Sequence, residues 1–251
     1  MYNLENMVKE PDSNSDERFS GKIGEEYELL KMSYPHYDEL QNVVGTTIKE
    51  KFASFAGEEI KVLEIGCGTG ITSKVILDAE ERVHLVALDN EKLMLSQAKE
   101  KLSDERYKDK IDFVEADALK YLQSLENESL EVVASGYVLH NLKSDIRDMI
   151  ISEIYRVLKK EGIFINADKY AFDDKAEHER SYKEQIERFD VYDTIGRSDY
   201  KEEWIKHFAE DNKDEVIFRE GEATKFLEKI GFRNVKTAYR KYMDAVIVGT
   251  K

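Results

Sequence analysis

A glycine-rich turn is the first feature of the sequence that could hold a ligand. Gly66, Gly68 and Gly70 follow a short apolar run, Val62 to Ile65, and precede a helical pattern. Glycine lets the backbone turn tightly and lets a ligand approach it closely. The third glycine arrives one residue earlier than in the Gly-x-Gly-x-x-Gly turn of dehydrogenases, and the lysine of a phosphate-binding loop is missing. The turn therefore predicts a ligand site without a phosphate cradle.

Two acidic residues at the ends of predicted strands strengthen this prediction. Asp89 closes the apolar run that begins at Val83, at the distance from the glycines where a doubly wound sheet places a carboxylate for ribose hydroxyls. Asp117 follows the next apolar run, Ile111 to Glu115. Each acid could instead cap the helix that follows it, so both interpretations stay open. Both are expected at the carboxyl edge of the sheet, where open α/β folds bind ligands.

Strands and helices must alternate to bring these residues to one edge, and the sequence shows that alternation. Five short apolar runs separated by helical patterns indicate a parallel sheet with helices on both faces. The helix before the fifth run ends at Gly162, which suits a left-handed cap. The last two runs, Val235 to Tyr242 and Ala245 to Gly249, are too close for a parallel crossover and must pair antiparallel. The predicted fold class is α/β, a doubly wound, mostly parallel, seven-stranded sheet with an antiparallel last strand.

Two helical segments and a polar tail surround this core. Residues 24–55 have helical spacing interrupted by Pro35 and predict an N-terminal helical lid. Residues 172–222 predict a helical cap inserted after the fifth strand, and they carry 17 acids against 9 bases. Residues 1–20 are polar and acidic and predict a mobile tail. The domain prediction is therefore a tail at 1–20 and a single domain at 21–251.

Charge and cysteine content exclude several functions. The 251-residue chain has 38 Lys+Arg against 53 Asp+Glu, and this formal charge of −15 disfavours nucleic acids and anionic membrane surfaces as partners. Its single cysteine excludes an intramolecular disulfide and favours a cytoplasmic location. The histidines are scattered along the sequence and predict no metal site. No apolar run approaches the length of a membrane span.

Taken together, the motifs resemble those of class I S-adenosylmethionine-dependent methyltransferases that act on small molecules. The resemblance extends over about residues 24–251 and is carried by four segments: Leu63 to Gly70, Ala87 to Asp89, Glu115 to Ala118, and Phe226 to Phe232 ahead of the final strand pair. A reversed last strand distinguishes this family from dehydrogenases. The resemblance implies S-adenosylmethionine as cofactor, S-adenosylhomocysteine as product, and a small molecule as methyl acceptor. The acidic cap favours an amine or another cation as that acceptor.

The resemblance also implies a role for each matching residue. Gly66, Gly68 and Gly70 would line the methionine and ribose portions of the cofactor, and Glu64 would lie near its amino group. Asp89 would bind the ribose hydroxyls. The remaining implied cofactor contacts are Asn90 beside the adenine, Asp117 and Ala118 at the adenine edge, Ser135 at the methionine end, Cys67 as an inert small residue within the turn, and Tyr27 or Tyr37, chosen by position alone, over the carboxylate.

His140 is the catalytic candidate. It lies in Ser135 to Leu142, after the fourth predicted strand, a segment that resembles the place where many small-molecule methyltransferases have a histidine near the methyl group. An imidazole titrates near neutral pH, so His140 could act as a base or orient the substrate, or it could only pack or cap the next helix. Methyl transfer is an in-line displacement in which the enzyme chiefly aligns nucleophile, methyl and sulfur and excludes water. Asp168, after the fifth run, is a further candidate ligand for substrate or metal.

Two other functions remain open beside methyl transfer. Tyr34 to Tyr37 and the C-terminal arrangement also resemble carboxy-S-adenosylmethionine synthase, whose arginine for the extra carboxylate aligns near His207 here. A non-catalytic domain that binds S-adenosylmethionine or its demethylated product would carry the same glycine turn and acids. A dehydrogenase would instead bind a nicotinamide cofactor, which a calorimetric titration would detect.

Overall fold

A seven-stranded sheet forms the centre of the computed structural model, which describes residues 22–251. The strands lie in the order β3-β2-β1-β4-β5-β7-β6. Their bounds are β1 Ile60–Ile65, β2 Val83–Asp89, β3 Ile111–Glu115, β4 Leu130–Gly136, β5 Leu158–Lys169, β6 Arg233–Lys241 and β7 Asp244–Thr250. The helices are α1 Lys22–Glu25, α2 Tyr37–Phe52, α3 Ile71–Ala79, α4 Lys92–Lys101, α5 Ala118–Ser124, α6 Ser144–Val157, α7 Lys175–Arg188, α8 Ser198–Glu210 and α9 Glu220–Ile230. The predicted tail at residues 1–20 lies outside the described residues.

The strand directions confirm the predicted fold class. Strands β1 to β5 pair in parallel, whereas β7 pairs antiparallel with both β5 and β6. The β6–β7 connection turns at Tyr242, whose φ is 52°, and it is too short for a parallel crossover. The predicted left-handed cap at Gly162 is wrong, because the residue with a left-handed conformation is Glu161, with φ 67°. Gly162 is needed for another reason, since a Cβ there would lie 2.8 Å from the carbonyl oxygen of Lys159.

Both faces of the sheet are covered, which explains the continuous apolar runs of its strands. Successive residues of β1 point to opposite faces, so Val62 belongs to one core and Leu63 to the other. The first core includes α2, α3 and the helices of the cap, and the second includes α5, α6 and α9. Burial on both faces leaves the strand ends as the place where polar groups can meet a ligand.

The cap and the N-terminal segment form one roof over the carboxyl edge of the sheet. Between β5 and α9 the chain forms α7, a 3-10 helix at Phe189–Ile195, and α8. The hydroxyl groups of Tyr192 and Ser33 lie 2.8 Å apart, and the Tyr200 hydroxyl donates to the carbonyl of Glu26 at 3.0 Å. Pro35 separates a 3-10 helix, Tyr27–Met32, from α2, as the sequence predicts. In residues 22–251, no helix is long and apolar enough to cross a bilayer.

Candidate active site

Strand ends bring the predicted site residues to one edge of the sheet. The glycine turn follows β1, Asp89 ends β2, and Ser135 lies near the end of β4. Parallel pairing places Ile65 beside both Leu88 and Ser135, so these three strands end at the same level. Asp168 lies at the corresponding end of β5. The sheet therefore supplies a row of polar groups along its carboxyl edge.

The glycine turn adopts the conformation that its composition predicts. The φ angles of Gly66, Gly68 and Gly70 are 67°, 53° and 79°, values that favour glycine. A Cβ on Gly66 would lie 2.3 Å from Val138, whereas a Cβ on Gly68 would meet no atom of the described chain within 4 Å. Gly66 is thus required for packing, and Gly68 leaves room for a ligand. Cys67 between them is buried, and burial raises the pKa of its thiol, which makes it a poor nucleophile.

Asp89 fixes the glycine turn to the second strand. Its Oδ2 accepts a hydrogen bond from the backbone N–H of Gly68 at 2.7 Å, and its Oδ1 accepts one from Glu91 at 2.8 Å. Its carboxyl is buried, and desolvation raises its pKa despite these two bonds. Asp89 is not the N-cap residue of α4; that position is held by Glu91, whose side chain does not cap the helix. The carboxylate is therefore available at the turn, where the sequence predicts a ribose contact.

Glu64 and Ser135 are buried polar groups with bonding capacity to spare. Glu64 is fully buried, and its Oε2 accepts a hydrogen bond from the hydroxyl of Ser73 at 2.5 Å. Within residues 22–251, Glu64 Oε1 and the Ser135 hydroxyl have no hydrogen-bond partner. Buried polar atoms are normally paired, so two such atoms at the carboxyl edge suit a polar ligand. An ammonium group next to Glu64 would satisfy the carboxylate, as the sequence predicts for the cofactor amino group.

Three predicted adenine contacts lie at the outer part of the edge. Asp117 is exposed, and its Oδ1 accepts a hydrogen bond from the backbone N–H of Lys120 at 2.9 Å, so it caps α5. Ala118 is the first residue of that helix, and Asn90 is exposed beside Asp89. The interpretation of Asp117 as a helix cap is thus confirmed, and its contact to adenine stays a prediction.

The two predicted tyrosines lie in the roof. Tyr37 is buried, and its ring stacks on that of Tyr137 with the centroids 5.3 Å apart. Tyr27 borders a cavity under the roof together with Tyr34 and Trp204. Burial raises the pKa of both predicted tyrosines, so both hydroxyls stay protonated. Of the two, Tyr27 is the one that borders the open space.

Two cavities adjoin beneath the cap and share three lining residues, His140, Lys169 and Asp211. One extends towards Tyr182 and Phe218, and the other towards the tyrosines of the N-terminal segment. Among the described residues, neither cavity is lined by the glycine turn. The ligand space under the cap therefore lies next to the predicted cofactor edge and is separate from it.

A histidine–aspartate pair lies at the junction of the two cavities. Nδ1 of His140 lies 2.5 Å from Oδ1 of Asp168, and the backbone N–H of His140 donates to Oδ2 of the same carboxylate at 3.2 Å. The side chain of Asn166 also donates to Oδ2, at 3.2 Å. Both members of the pair are buried. These contacts fix the imidazole with Nε2 directed away from Asp168.

Lys169 and Asp211 of this cavity were not predicted from the sequence, and His207 was named only as the position aligned with the arginine of the synthase. Lys169 pairs with Asp211, and His207 and Asp211 lie one helical turn apart at the end of α8. The histidines are scattered along the sequence, but two of them, His140 and His207, meet beside Asp211 in the fold. Their spacing was a usable signal: His207 and Asp211 follow Trp204 at three and seven residues, the positions of one buried helix face.

Known proteins resemble this chain in sequence as well as in fold. A family model described as a methyltransferase domain matches residues 62–162, which contain the glycine turn, both acids and His140. The matched domain, the named relatives and the fold together support a class I S-adenosylmethionine-dependent methyltransferase. This methyltransferase is therefore an enzyme that uses S-adenosylmethionine. It is 27% identical over 245 residues to a carboxy-S-adenosyl-L-methionine synthase from Wolinella succinogenes, covering 94% of this chain and 92% of the relative.

Other relatives of the methyltransferase carry different activities in their names. A demethylmenaquinone methyltransferase from Leptospira interrogans is 28% identical over 155 residues, covering 59% of this chain and 61% of the relative. The structure of the CurJ carbon methyltransferase superposes with a TM-score of 0.65 at 18% identity, covering 96% of this chain and 67% of that one. An O-methyltransferase family protein from Burkholderia thailandensis gives 0.66 at 12% identity, covering 98% and 65%. These structures establish the fold, and the named activities differ among themselves.

Binding of S-adenosylhomocysteine is expected to strengthen as the pH rises towards 8. Burial raises the pKa of Glu64 to about 8, so in the cofactor-free protein this carboxyl is protonated at neutral pH. A ligand ammonium favours the ionised form, and binding below pH 8 must therefore release a proton. The dissociation constant should fall by up to about tenfold per pH unit and level off above pH 8. Calorimetry in two buffers of different ionisation enthalpy measures both the affinity and the released proton.

The variant Glu64→Gln tests the assignment of this proton. It should bind more weakly at pH 8.5 and lose the pH dependence, while Glu115→Gln, at the exposed end of β3, should keep it. An unchanged pH dependence in Glu64→Gln would assign the proton to another group.

In the cofactor-free protein, the unfolding free energy should fall as the pH rises from 4.5, the ordinary pKa of a glutamate, towards 8. The reason is that Glu64 ionises at a lower pH in the unfolded chain than in the folded protein.

Proposed function

We propose that the enzyme transfers the methyl group of S-adenosylmethionine to an O, N, S or C atom of a small molecule held under the cap. The observation that carries this proposal is the buried His140–Asp168 pair at the junction of two cavities beside the cofactor edge. In the proposal, the enclosed space holds the acceptor, and the sheet edge holds the cofactor. In-line displacement requires that acceptor, methyl and sulfur be aligned and shielded from water.

The proposed cofactor pose uses the row of polar groups along the sheet edge. Asp89 accepts hydrogen bonds from the ribose hydroxyls, and Glu64 binds the ammonium of the methionine portion. Gly68 provides the open space beside the ribose, since a Cβ there would meet no described atom. The other proposed contacts are Gly66, Cys67 and Gly70 in the turn, Asn90, Asp117 and Ala118 around the adenine, Ser135 at the methionine end, and Tyr27 and Tyr37 in the roof.

His140 is the proposed general base. Asp168 holds Nδ1, which leaves Nε2 to receive a proton from an acceptor that must lose one. The Asp168 carboxylate also stabilises the imidazolium that forms, because the pair is buried and the attraction is weakly screened. The adjoining Tyr137 has φ 57° in a non-glycine residue, a strained conformation that is typical of functional sites.

The preference for a cationic acceptor depends on one residue of the cap rather than on the acidic composition of the cap. Of the acids in 172–222, Asp211 is the one that is buried, while the others lie on more accessible surface. Asp211 pairs with Lys169 in the cavity. An amine acceptor would have to compete with Lys169 for this carboxylate, so the preference for a cation now depends on Asp211 alone.

A second candidate function is chemistry on the cofactor itself. The carboxy-S-adenosylmethionine synthase of Wolinella succinogenes matches this chain over nearly the full length of both proteins. Lys169 also provides a buried cation in the cavity that could hold a carboxylate. This function predicts a carboxylated cofactor as product, in place of S-adenosylhomocysteine and a methylated acceptor.

Incubation with methyl-labelled S-adenosylmethionine and a metabolite extract separates these functions. Methyl transfer yields S-adenosylhomocysteine and label in a new small molecule. The synthase-like reaction takes a carboxyl group from a donor in the extract, releases one methyl proton, and retains the labelled carbon on a heavier, carboxylated cofactor. Tight cofactor binding without any product from several extracts would contradict both reactions and favour a non-catalytic binding module.

The variant His140→Ala is expected to lower kcat by about 10²- to 10⁴-fold, because general-base catalysis contributes about that much. Its affinity for S-adenosylhomocysteine should stay unchanged, since His140 lies outside the proposed cofactor contacts. His84→Ala is the control, because His84 on β2 pairs with Asp112 on the edge strand β3, away from the two cavities. Full turnover by His140→Ala would remove the base from the proposal and leave alignment as the source of catalysis.

A further inference from the structure

Two imidazoles and a carboxylate meet where the two cavities adjoin. His140 comes from a 3-10 turn after β4, and His207 and Asp211 come from the end of α8. Oδ2 of Asp211 lies 3.7 Å from Nε2 of His140 and 3.6 Å from Nε2 of His207. One donor atom from each residue lies within 4.8 Å of the other two, and all three residues are buried. Three donors thus converge from two separate parts of the fold.

The orientation of His140 suits a metal ligand. Its Nδ1 is held by the carboxylate of Asp168, and this leaves the Nε2 lone pair directed into the cluster. Metal-binding histidines commonly have their second nitrogen hydrogen-bonded to a carboxylate in this way, which fixes the tautomer and raises the basicity of the ligand atom. The same contact that orients a base therefore also prepares a ligand.

The cluster already holds a cation in this structure. The ammonium of Lys169 pairs with Asp211 and lies 4.2 Å from the centroid of the Phe208 ring. Both members of the ion pair are buried. The carboxylate of Asp211 therefore already attracts a positive charge at this wall, as a metal ligand must.

We propose that His140, His207 and Asp211 form a binding site for a first-row divalent cation of the zinc type, which displaces the ammonium of Lys169 from Asp211. Imidazole nitrogens and a carboxylate suit zinc, whereas magnesium and calcium prefer oxygen donors alone. Tetrahedral zinc places its ligand atoms about 3.3 Å apart, so the two contacts to Asp211 need only small side-chain shifts. The donor atoms of the two imidazoles also lie within 4.8 Å of each other.

Metal binding and base catalysis would use the same nitrogen. A cation bound to Nε2 of His140 removes the proton acceptor of the proposed reaction, so added zinc is expected to inhibit methyl transfer. The site itself does not depend on that reaction, because its three donors and their distances stand without any assumption about the substrate.

Titration of the metal-stripped, full-length protein with zinc tests the site by calorimetry, with cobalt as a spectroscopic probe of tetrahedral coordination. One equivalent should bind to the wild-type protein. His207→Ala and Asp211→Asn should each weaken binding by at least about tenfold, because each removes one of three ligands. Lys169→Met should strengthen binding by about tenfold, because it removes the competing cation. Misfolding cannot produce that gain in affinity.

His178→Ala is the matched control, since His178 lines the same cavity but bonds to Asn212 outside the cluster. It should bind zinc like the wild type. Binding of S-adenosylhomocysteine by each variant checks its fold and keeps the cofactor site separate from the metal site. Wild-type zinc affinity in His207→Ala, or no gain in Lys169→Met, would overturn the proposal even if the methyltransferase activity is confirmed.

Discussion

Replacing Asp89 with asparagine is expected to weaken binding of S-adenosylhomocysteine about 100-fold without unfolding the protein. The carboxylate accepts hydrogen bonds from Gly68 and Glu91, and in the proposed pose it also accepts two from ribose hydroxyls. An amide has a single acceptor oxygen, so it must lose one backbone contact and the charge that strengthens the ribose bonds. Two weakened bonds at about 1–1.5 kcal/mol each give a change of this size.

Stability should change little in Asp89→Asn. Burial raises the pKa of Asp89, so ionisation is already costly there, and a neutral amide avoids that cost. Calorimetry measures the affinity, and thermal unfolding without ligand measures the stability. Asp112→Asn, on the exposed face of β3, is the control and should bind like the wild type. Wild-type affinity in Asp89→Asn would mean that the ribose lies elsewhere.

The fold was predictable because its strands are defined by local patterns. An apolar run from Lys61 to Ile65, ended by glycines, predicted β1 to within one residue, and Ile111 to Glu115 predicted β3. Parallel strands buried on both faces are apolar throughout, so their boundaries are visible in the sequence. The reversal of β7 followed from chain length, since the tight turn, predicted at Met243–Asp244 and found at Tyr242 and Met243, leaves no room for a crossover.

The cavity was less predictable because it depends on contacts between distant segments. His140 and His207 are 67 residues apart in the sequence, and only the return of the cap across the sheet edge brings both to Asp211. Asp168 was named as a lone candidate, but its bond to His140 is a tertiary contact that no spacing reveals. The charge of the cap was also misleading, because the net of −8 over 172–222 lies mostly on accessible surface.

A buried guanidinium joins the cap to the loop that carries His140. Arg147, in the first turn of α6, donates to the carbonyl oxygens of Leu139 and Leu142 on either side of His140. It also donates to the carbonyl oxygens of Val216 at 2.8 Å and Ile217 at 3.2 Å, in the last part of the cap. Burial lowers the pKa of Arg147, which nevertheless stays charged. Position of His140 and closure of the cap therefore depend on the same side chain.

Arg147→Ala is expected to lower the unfolding free energy by about 3–5 kcal/mol, because several buried carbonyls lose their donor at once. For a domain of this size the melting temperature should fall by roughly 10 °C. Turnover should fall further than stability explains, since the loop that carries His140 loses its fixed position, while S-adenosylhomocysteine affinity below the melting transition should change little. Differential scanning calorimetry and kcat measurements follow the two effects.

Arg106→Ala separates the loss of a buried donor from the loss of a positive charge. Arg106 is exposed, and it forms surface ion pairs with Asp78 at 3.6 Å and Asp104 at 3.4 Å. Its removal should shift the melting temperature by no more than about 2 °C, because exposed ion pairs contribute little. Equal shifts in the two variants would show that charge, rather than the four carbonyl bonds, accounts for the effect of Arg147. A large loss of stability with normal turnover per folded molecule would show that the His140 loop keeps its position without Arg147.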